Sequence, residues 1–342
     1  FNHSKTIYQS EKKAFDLNID DLFIDLFQKQ IPFKLTSSQK KCIEEIYNDI
    51  KKASPMKRLL QGDVGSGKTI VAAAAVTATI KNNKQAALMA PTEVLAEQHL
   101  TSFKKYLEYF DVDIQLLTSS VKDREDIYEI IDRGDPVLII GTHALIQDKV
   151  NFNNLGLAII DEQQRFGVEQ RKKLVDNDDF TPHQLVMTAT PIPRTTALAI
   201  YGDLELSVID ELPPGRKKIK SRVLSGGKRD NKEVYETAYE HLKNDSQIFV
   251  VCPYIEESEN SDIKAAENVF KLYRSEFKDY KVDLLHGKMK PEEKELKMLQ
   301  MQNGEIDILV STVVIEVGID ITNATLMIIE SAERFGLNQL HQ

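Results

Sequence analysis

The sequence predicts an α/β fold in two parts, each built on a mainly parallel sheet. Three observations carry this expectation. Short apolar runs alternate with helix-patterned stretches from Leu59 onward, and again after Ser221, which is how successive βαβ units read. With 342 residues the chain is too long for one ordinary core, so its length favours two domains. Between the two alternations the text breaks into PPGRKKIKSR, a Pro/Gly interruption followed by charge, as interdomain linkers do.

The elements follow in order. Within residues 1–30, the stretch DLNIDDLFIDLFQKQ carries apolar residues at Leu17, Ile19, Leu22, Phe23, Ile24, Leu26 and Phe27 and reads as one helix attached to something else. Pro32 ends it. Thr36-Ser37-Ser38-Gln39 ahead of KKCIEEIYNDI then reads as a capped helix that opens a new domain. Strands are expected at Arg58 to Leu60, Gln85 to Ala90, Asp113 to Leu117, Pro136 to Ile140, Leu155 to Ile160 and Gln184 to Thr188. In the second half the expected strands are Ser221 to Leu224, Gln247 to Cys252, Val282 to Leu285 and Ile306 to Ser311. Helices are expected there at Asn231 to Leu242, Ser261 to Phe277 and Pro291 to Met301.

Bulk properties exclude several classes. At 42% hydrophobic and 28% charged the composition is that of a globular chain, and no apolar run has the length a bilayer needs. The start FNHSKTIYQS lacks the basic-then-apolar order of a signal peptide, so a cytoplasmic setting is expected, and its abruptness suggests a fragment. Cys42 and Cys252 stand far apart with no CxxC or His cluster, which argues against a disulfide framework or a zinc site. The net charge of -9 does not point to nucleic acid, but Lys and Arg gather in GRKKIKSR, with Lys228 and Arg229 just beyond. That run reads equally well as a solvated linker.

The stretch LLQGDVGSGKTIVAAAA is the strongest motif. Gly62, Gly67, Lys68 and Thr69 fill G-x-x-x-x-G-K-[ST] between a strand end and an alanine-rich helix. Glycines let backbone N–H groups approach phosphates, the lysine reaches the β/γ oxygens, the threonine hydroxyl holds Mg²⁺, and the helix N-terminus faces the anion. The bland alternative is a glycine-rich turn before a core helix. The apolar strand LGLAII runs into Asp161-Glu162-Gln163-Gln164, where Asp161 is placed to hold Mg²⁺ through water and Glu162 to act as general base. MTATPIPRT, from Met187 to Thr195, is a rigid polar turn that could couple two lobes. STVVIEVGID closes the last expected strand with Thr312, Glu316, Gly318 and Asp320 at its tip, suited to a ribose or a sugar-phosphate backbone. Thr118, Ser119, Gly141, Thr142 and His143 also fall at strand ends, where open α/β sheets bind ligands. The histidines His99, His143, His286 and His341 lack metal-ligand spacing and are read as structural. Phe166 and Phe335, each in an Arg-Phe-Gly triplet, read as core, with base stacking the lesser alternative.

With these motifs in order, the chain resembles the superfamily 2 helicases and, more closely, the RecG branch-migration helicases of bacteria. The resemblance covers about residues 20–342 and rests on GDVGSGKT, DEQQRFGVEQR, TATPIPRTTALAIYGDL, IDELPPGRK and VSTVVIEVGIDITNATLMIIESAERFGLNQLHQ. The related transcription-repair coupling translocases usually read DEEHRFG, so Gln163 favours RecG; Gln164 stands where the family often has His.

The resemblance implies an α/β chain of two RecA-like P-loop lobes, the second truncated at its C-terminus. The boundaries it implies are 1–30 for a helical remnant, 31–212 for lobe one, 213–222 for a linker and 223–342 for lobe two. Gln39 would read adenine. Gly62, Asp63, Val64, Gly65, Ser66, Gly67, Lys68 and Thr69 would cradle ATP with Mg²⁺ held by Thr69 and Asp161. Gly318 and Asp320 would face the nucleotide from lobe two. Lys68, Asp161, Glu162 and Gln164 would run hydrolysis, with Thr188 and Thr190 as a relay. Pro91, Thr92, Thr118, Ser119, Thr142 and His143 would touch DNA in lobe one, and Gly287, Thr312 and Val313 in lobe two.

The implied activity is ATP-driven remodelling of branched DNA, meaning forks and Holliday junctions, by a nucleoid-associated bacterial monomer. Its partners would be single- and double-stranded DNA and single-strand-binding protein, with no membrane. RecG proteins carry a wedge domain before this region and, past Leu340, His341 and Gln342, an arginine-rich motif that supplies a finger to the γ-phosphate. Such a finger is worth on the order of 10³ to 10⁵ in rate. The expectation is therefore a parent protein that is a motor and a fragment that hydrolyses ATP weakly or not at all. The alternatives are a transcription-repair coupling translocase and a nucleotide- or DNA-binding module without turnover; a small-molecule kinase lacks a visible substrate lid.

Overall fold

A computed structural model describes residues 13–20, 22–162, 166, 173–174, 180–189, 204–211, 213, 219–253, 259–312, 321–336 and 340. The chain divides into two compact units, Phe1–Lys217 and Lys218–Gln342.

The first unit is a seven-stranded sheet of β1 (Lys57–Gly62), β2 (Gln85–Met89), β3 (Asp113–Leu117), β4 (Val137–Gly141), β5 (Leu155–Asp161), β6 (His183–Thr188) and β7 (Glu205–Ile209). Their order is β3-β4-β2-β5-β6-β1-β7, and every pairing is parallel. β2, β4 and β5 are buried at every position, so they read as unbroken apolar runs rather than alternating ones. The edge strand β7 escaped the sequence reading because its alternating, half-exposed ELSVI lies beside the run of charge and proline that marks the linker.

The helices described in this unit are α1 (Phe23–Gln30), α2 (Ser37–Ile50), α3 (Lys68–Lys81), α4 (Glu93–Tyr106) and α5 (Glu125–Arg133). Thr36 caps α2 in a reciprocal box, its hydroxyl accepting from the Gln39 backbone N–H while the Gln39 side chain accepts from the Thr36 N–H. α3 is buried from Ile70 to Ile80, which its run of alanines permits by letting neighbours approach closely. Tyr47 of α2 donates to the Ala74 carbonyl of α3 at 3.1 Å.

The N-terminal segment differs from expectation. The helix begins at Phe23, and residues 13–20 run without helix or strand. Leu17 and Ile19 are buried in the same core as α2 and α3, with the Leu17 N–H donating to Ile50 O at 3.0 Å. Their spacing of two residues belongs to extended chain, and a helical period had absorbed it. The segment also crosses the amino ends of the strands, where Phe15 stacks on Phe180 at 4.5 Å and the Phe15 carbonyl accepts from His183 Nε2 at 2.7 Å. It is thus part of the first unit's core.

The second unit is a four-stranded parallel sheet of β8 (Gln247–Cys252), β9 (Val282–Leu285), β10 (Ile308–Thr312) and β11 (Ala324–Ile329), in the order β11-β8-β10-β9. Its described helices are α6 (Lys228–Lys243), α7 (Glu259–Glu276) and α8 (Pro291–Gln302). The strand expected at Ser221 to Leu224 does not form. These residues have no ladder partner and Val223 is 96% exposed, so β propensity alone did not order them. β11 has a weak sequence pattern because all six of its residues remain partly or fully exposed and its apolar run directly follows a loop-like sequence.

Candidate functional site

The strand order of the first unit sorts the candidate residues onto two halves of one sheet edge. Strands β5, β6 and β1 are consecutive, with Asp161 opposite Met187 and Gln61 opposite Thr188 at their carboxyl ends. The phosphate loop, Asp161, Glu162 and Thr188 therefore leave adjacent strand ends. Strands β3, β4 and β2 make the other half, with Gly141 opposite both Leu117 and Met89. Pro91, Thr92, Thr118, Ser119, Thr142 and His143 follow those ends.

The loop after β1 is built by close approach. Gly67 sits at φ +93°, and a Cβ there would lie 2.2 Å from Gln39 Nε2. At Gly62 a Cβ would lie 2.4 Å from Ser66 Oγ. Gln39, buried in the first turn of α2, donates from Nε2 to the Ser66 carbonyl at 2.7 Å. The loop also closes on itself, with the Ser66 N–H on Asp63 O at 3.0 Å and the Val64 N–H on Asp63 Oδ1 at 2.8 Å. Lys68 Nζ donates to the carbonyls of Gly62 at 2.8 Å and Asp63 at 3.2 Å. Thr69 lies in the first turn of α3, where the helix dipole favours an anion.

Asp161 and Glu162 are neighbours in sequence but their side chains reach different elements. Glu162 adopts φ +49°, uncommon for a residue with a Cβ, and its Oε1 accepts from the Ala189 N–H at 3.1 Å just past β6. Asp161 Oδ2 instead accepts from His99 Nε2 of α4 at 2.8 Å, with both residues buried. By spacing alone His99 reads as a structural histidine. Its signal was present: Leu95, His99 and Phe103 share the buried stripe of α4 at spacings of four, so a polar ring there needed a buried partner.

These residues fit a polyphosphate. The glycine loop would be filled by any larger side chain, and the Ser66 hydroxyl is buried with no hydrogen-bond partner among the described residues. Among the described residues no group of three or more His, Cys, Asp or Glu side chains gathers to hold a metal. One hydroxyl at Thr69 and one carboxylate at Asp161 are a donor set that suits Mg²⁺, which keeps waters and substrate phosphates as its other ligands.

On the other half of the edge, Thr92 caps α4 by accepting from the Leu95 N–H at 3.3 Å. The Ser119 N–H donates to Glu93 Oε1 at 2.7 Å, and Thr118 and Ser120 share a hydroxyl contact at 2.9 Å. Thr142 is buried and its hydroxyl lacks a partner among the described residues, whereas His143 is exposed. Gly141 must be glycine here, because a Cβ would lie 2.2 Å from the Leu117 carbonyl oxygen.

In the second unit, Gly287 follows β9 and Thr312 ends β10, and these strands pair with Leu285 opposite Ser311. Gly287 is exposed with open space around it; Thr312 is buried. Gln163, Gln164, Thr190, Val313, Gly318 and Asp320 lie outside the described residues, as do residues 215–218 of GRKKIKSR and His341. At the end of that basic run Arg222 pairs with Glu233 at 2.8 Å.

Comparison with known proteins decides the family. The DEAD/DEAH box helicase family matches residues 36–198, and the helicase conserved C-terminal domain family matches residues 231–342. The ATP-dependent DNA helicase RecG of Aquifex aeolicus is 49% identical over 335 residues, covering 97% of this chain and 42% of its own length. The chain belongs to the RecG-type helicases. RecG of Synechocystis is likewise 49% identical over 322 residues, covering 93% of the chain and 38% of the relative. A solved structure of RecG bound to a three-way DNA junction is 41% identical with a TM-score of 0.86, covering 99% of this chain and 44% of that one. The two units are thus RecA-like helicase lobes, and the chain spans about two-fifths of the length of the RecG proteins it matches. Among the described residues no helix is long and apolar enough to cross a membrane.

Proposed function

We propose that this chain forms the two motor lobes of a helicase that uses ATP to remodel branched DNA. The observation that supports the reading is the division of one sheet edge, with the glycine loop, Asp161 and Glu162 at the ends of β5, β6 and β1 and a second set of polar residues at the ends of β3, β4 and β2. The RecG relative solved on a three-way DNA junction supports a branched substrate.

In this reading Lys68 leaves the Gly62 and Asp63 carbonyls for the β/γ-phosphate oxygens, and the loop amides and α3 N-terminus hold the remaining charge. Thr69 and Asp161 hold Mg²⁺, which when bound neutralises charge on the transferred phosphoryl group. Glu162 orients the attacking water, and its contact with the Ala189 N–H passes the state of that carboxylate to the end of β6 beside Thr188. Gln164 and Thr190 extend these two strand-end segments, and Gly318 and Asp320 belong to the nucleotide side of lobe two. Pro91, Thr92, Thr118, Ser119, Thr142 and His143, with Gly287, Thr312 and Val313, contact the sugar-phosphate backbone, which positions the motor without reading sequence. The same reading entails a bacterial, nucleoid-associated monomer with single-strand-binding protein as a further partner.

The test is ATP-driven unwinding of a synthetic fork by the full-length protein, with linear duplex as control. Fork unwinding that Glu162→Gln abolishes while DNA binding persists supports the proposal. Equal action on forks and linear duplex removes branched DNA as the substrate, and binding without any turnover leaves a binding module.

A further inference from the structure

His99 is a buried imidazole whose partner is the carboxylate assigned to the metal. Its Nε2 lies 2.8 Å from Asp161 Oδ2, and the two side chains keep only 10% and 12% of their surface exposed. Asp161 ends a strand that is buried throughout, and the hydrogen bond from His99 is a restraint on which way its carboxylate turns. Glu162 beside it is already held in place by backbone, through φ +49° and the Ala189 N–H. His99 supplies the corresponding restraint for Asp161, and it does so from a different element.

That element begins at the other half of the sheet edge. Pro91 and Thr92 precede α4, Thr92 caps it, and His99 follows seven residues later on its buried face. Seven residues of helix span about 10 Å. The helix is held between these points by the buried Leu95 and Ala96 and beyond them by Phe103, to which the His99 ring lies edge-on at 6.3 Å. A shift of the α4 N-terminus is therefore carried to His99, and from His99 to Asp161, without passing through a flexible joint.

We propose that His99 is a positioning residue that orients Asp161 toward the metal and links that carboxylate, through α4, to the backbone contacts at Pro91 and Thr92. This rests on the nucleotide reading given above. Outer partners of ligating groups orient them and tune metal affinity, and their removal typically costs about 10- to 100-fold.

The experiment measures the affinity of the chain for a fluorescent ATP analogue across a Mg²⁺ titration, with and without forked DNA, for wild type, His99→Ala and His99→Gln. Thermal unfolding is recorded alongside. The expected result is that His99→Ala needs about tenfold more Mg²⁺ for the same nucleotide affinity, keeps its affinity in the absence of Mg²⁺, and loses the shift that DNA produces in the wild type. His99→Gln, which can still donate to the carboxylate, recovers part of both even if His99→Ala proves too unstable to assay. An unchanged Mg²⁺ dependence in a folded variant overturns the positioning role. A normal DNA-linked shift with an altered Mg²⁺ dependence overturns the link through α4. Wild type that binds no nucleotide overturns the site reading itself, and the inference falls with it.

Discussion

The Gln39 side-chain amide donates to the Ser66 carbonyl at 2.7 Å while its oxygen accepts from the Thr36 N–H at 2.9 Å, so both ends of this amide are engaged within the chain. Gln39 thereby ties the cap of α2 to the phosphate loop, and the loop needs glycine at position 67 because the amide lies against it.

A role in holding the loop and a role in reading adenine make different predictions for Gln39→Ala. Loop-holding lowers affinity for ATP and GTP alike, by about tenfold for a lost buried hydrogen bond. Base reading alone erases a preference for ATP and leaves GTP binding unchanged. The structure favours the first outcome, and competition binding with the two nucleotides measures it.

Much of this site was legible in the sequence because its chemistry is local. GDVGSGKT dictates a loop by its own glycines, and LGLAIID is apolar enough to be a buried strand wherever it packs. Long-range pairings were not legible. Nothing near His99 in sequence announces Asp161, 62 positions away. Leu17 and Ile19 gave a helical reading because Leu22, Phe23 and Leu26 follow them, and only the packing against α2 shows the chain extended there. β7 and β11 are half-exposed, so their weak patterns yield to their partners β1 and β8.

Arg58 is a buried cation that sequence gave no reason to single out. It donates to Asp49 at 2.6 and 2.9 Å and to Ser207 at 2.9 Å, and it also meets Glu45 and Glu205. Burial acts to raise the Asp49 carboxyl, but Lys52 and Arg58 outweigh it and hold it below the usual range. Arg58→Leu takes the buried guanidinium away from Asp49, leaving it Lys52, and is predicted to cost about 3–5 kcal/mol in urea unfolding. Adding Asp49→Leu should recover a large part of that loss.

His183 ties three segments together as a neutral ring, its Nδ1 accepting from the Met56 N–H at 3.0 Å and its Nε2 donating to the Phe15 carbonyl. Burial pushes it below its ordinary 6.5, more than the Phe15 carbonyl and Asp49 can offset. The unfolded chain then takes up a proton that the folded chain refuses. Stability from this group is intact above the unfolded value of 6.5 and is lost as pH falls below it toward the folded value. The slope is at most about 1.4 kcal/mol per pH unit. Urea unfolding between pH 7.5 and 5.5 should show a shallower decline in His183→Gln than in wild type.

The division of one sheet edge into a nucleotide half and a DNA half is tested most directly by titrating Lys68→Ala and wild type with a fluorescent ATP analogue and, separately, with forked DNA. Lys68→Ala should lose nucleotide affinity by about tenfold or more, as expected when a charge-assisted contact to phosphate is removed, and bind the fork as wild type does. Equal nucleotide affinity in the two proteins, or a matching loss of DNA binding, would contradict it.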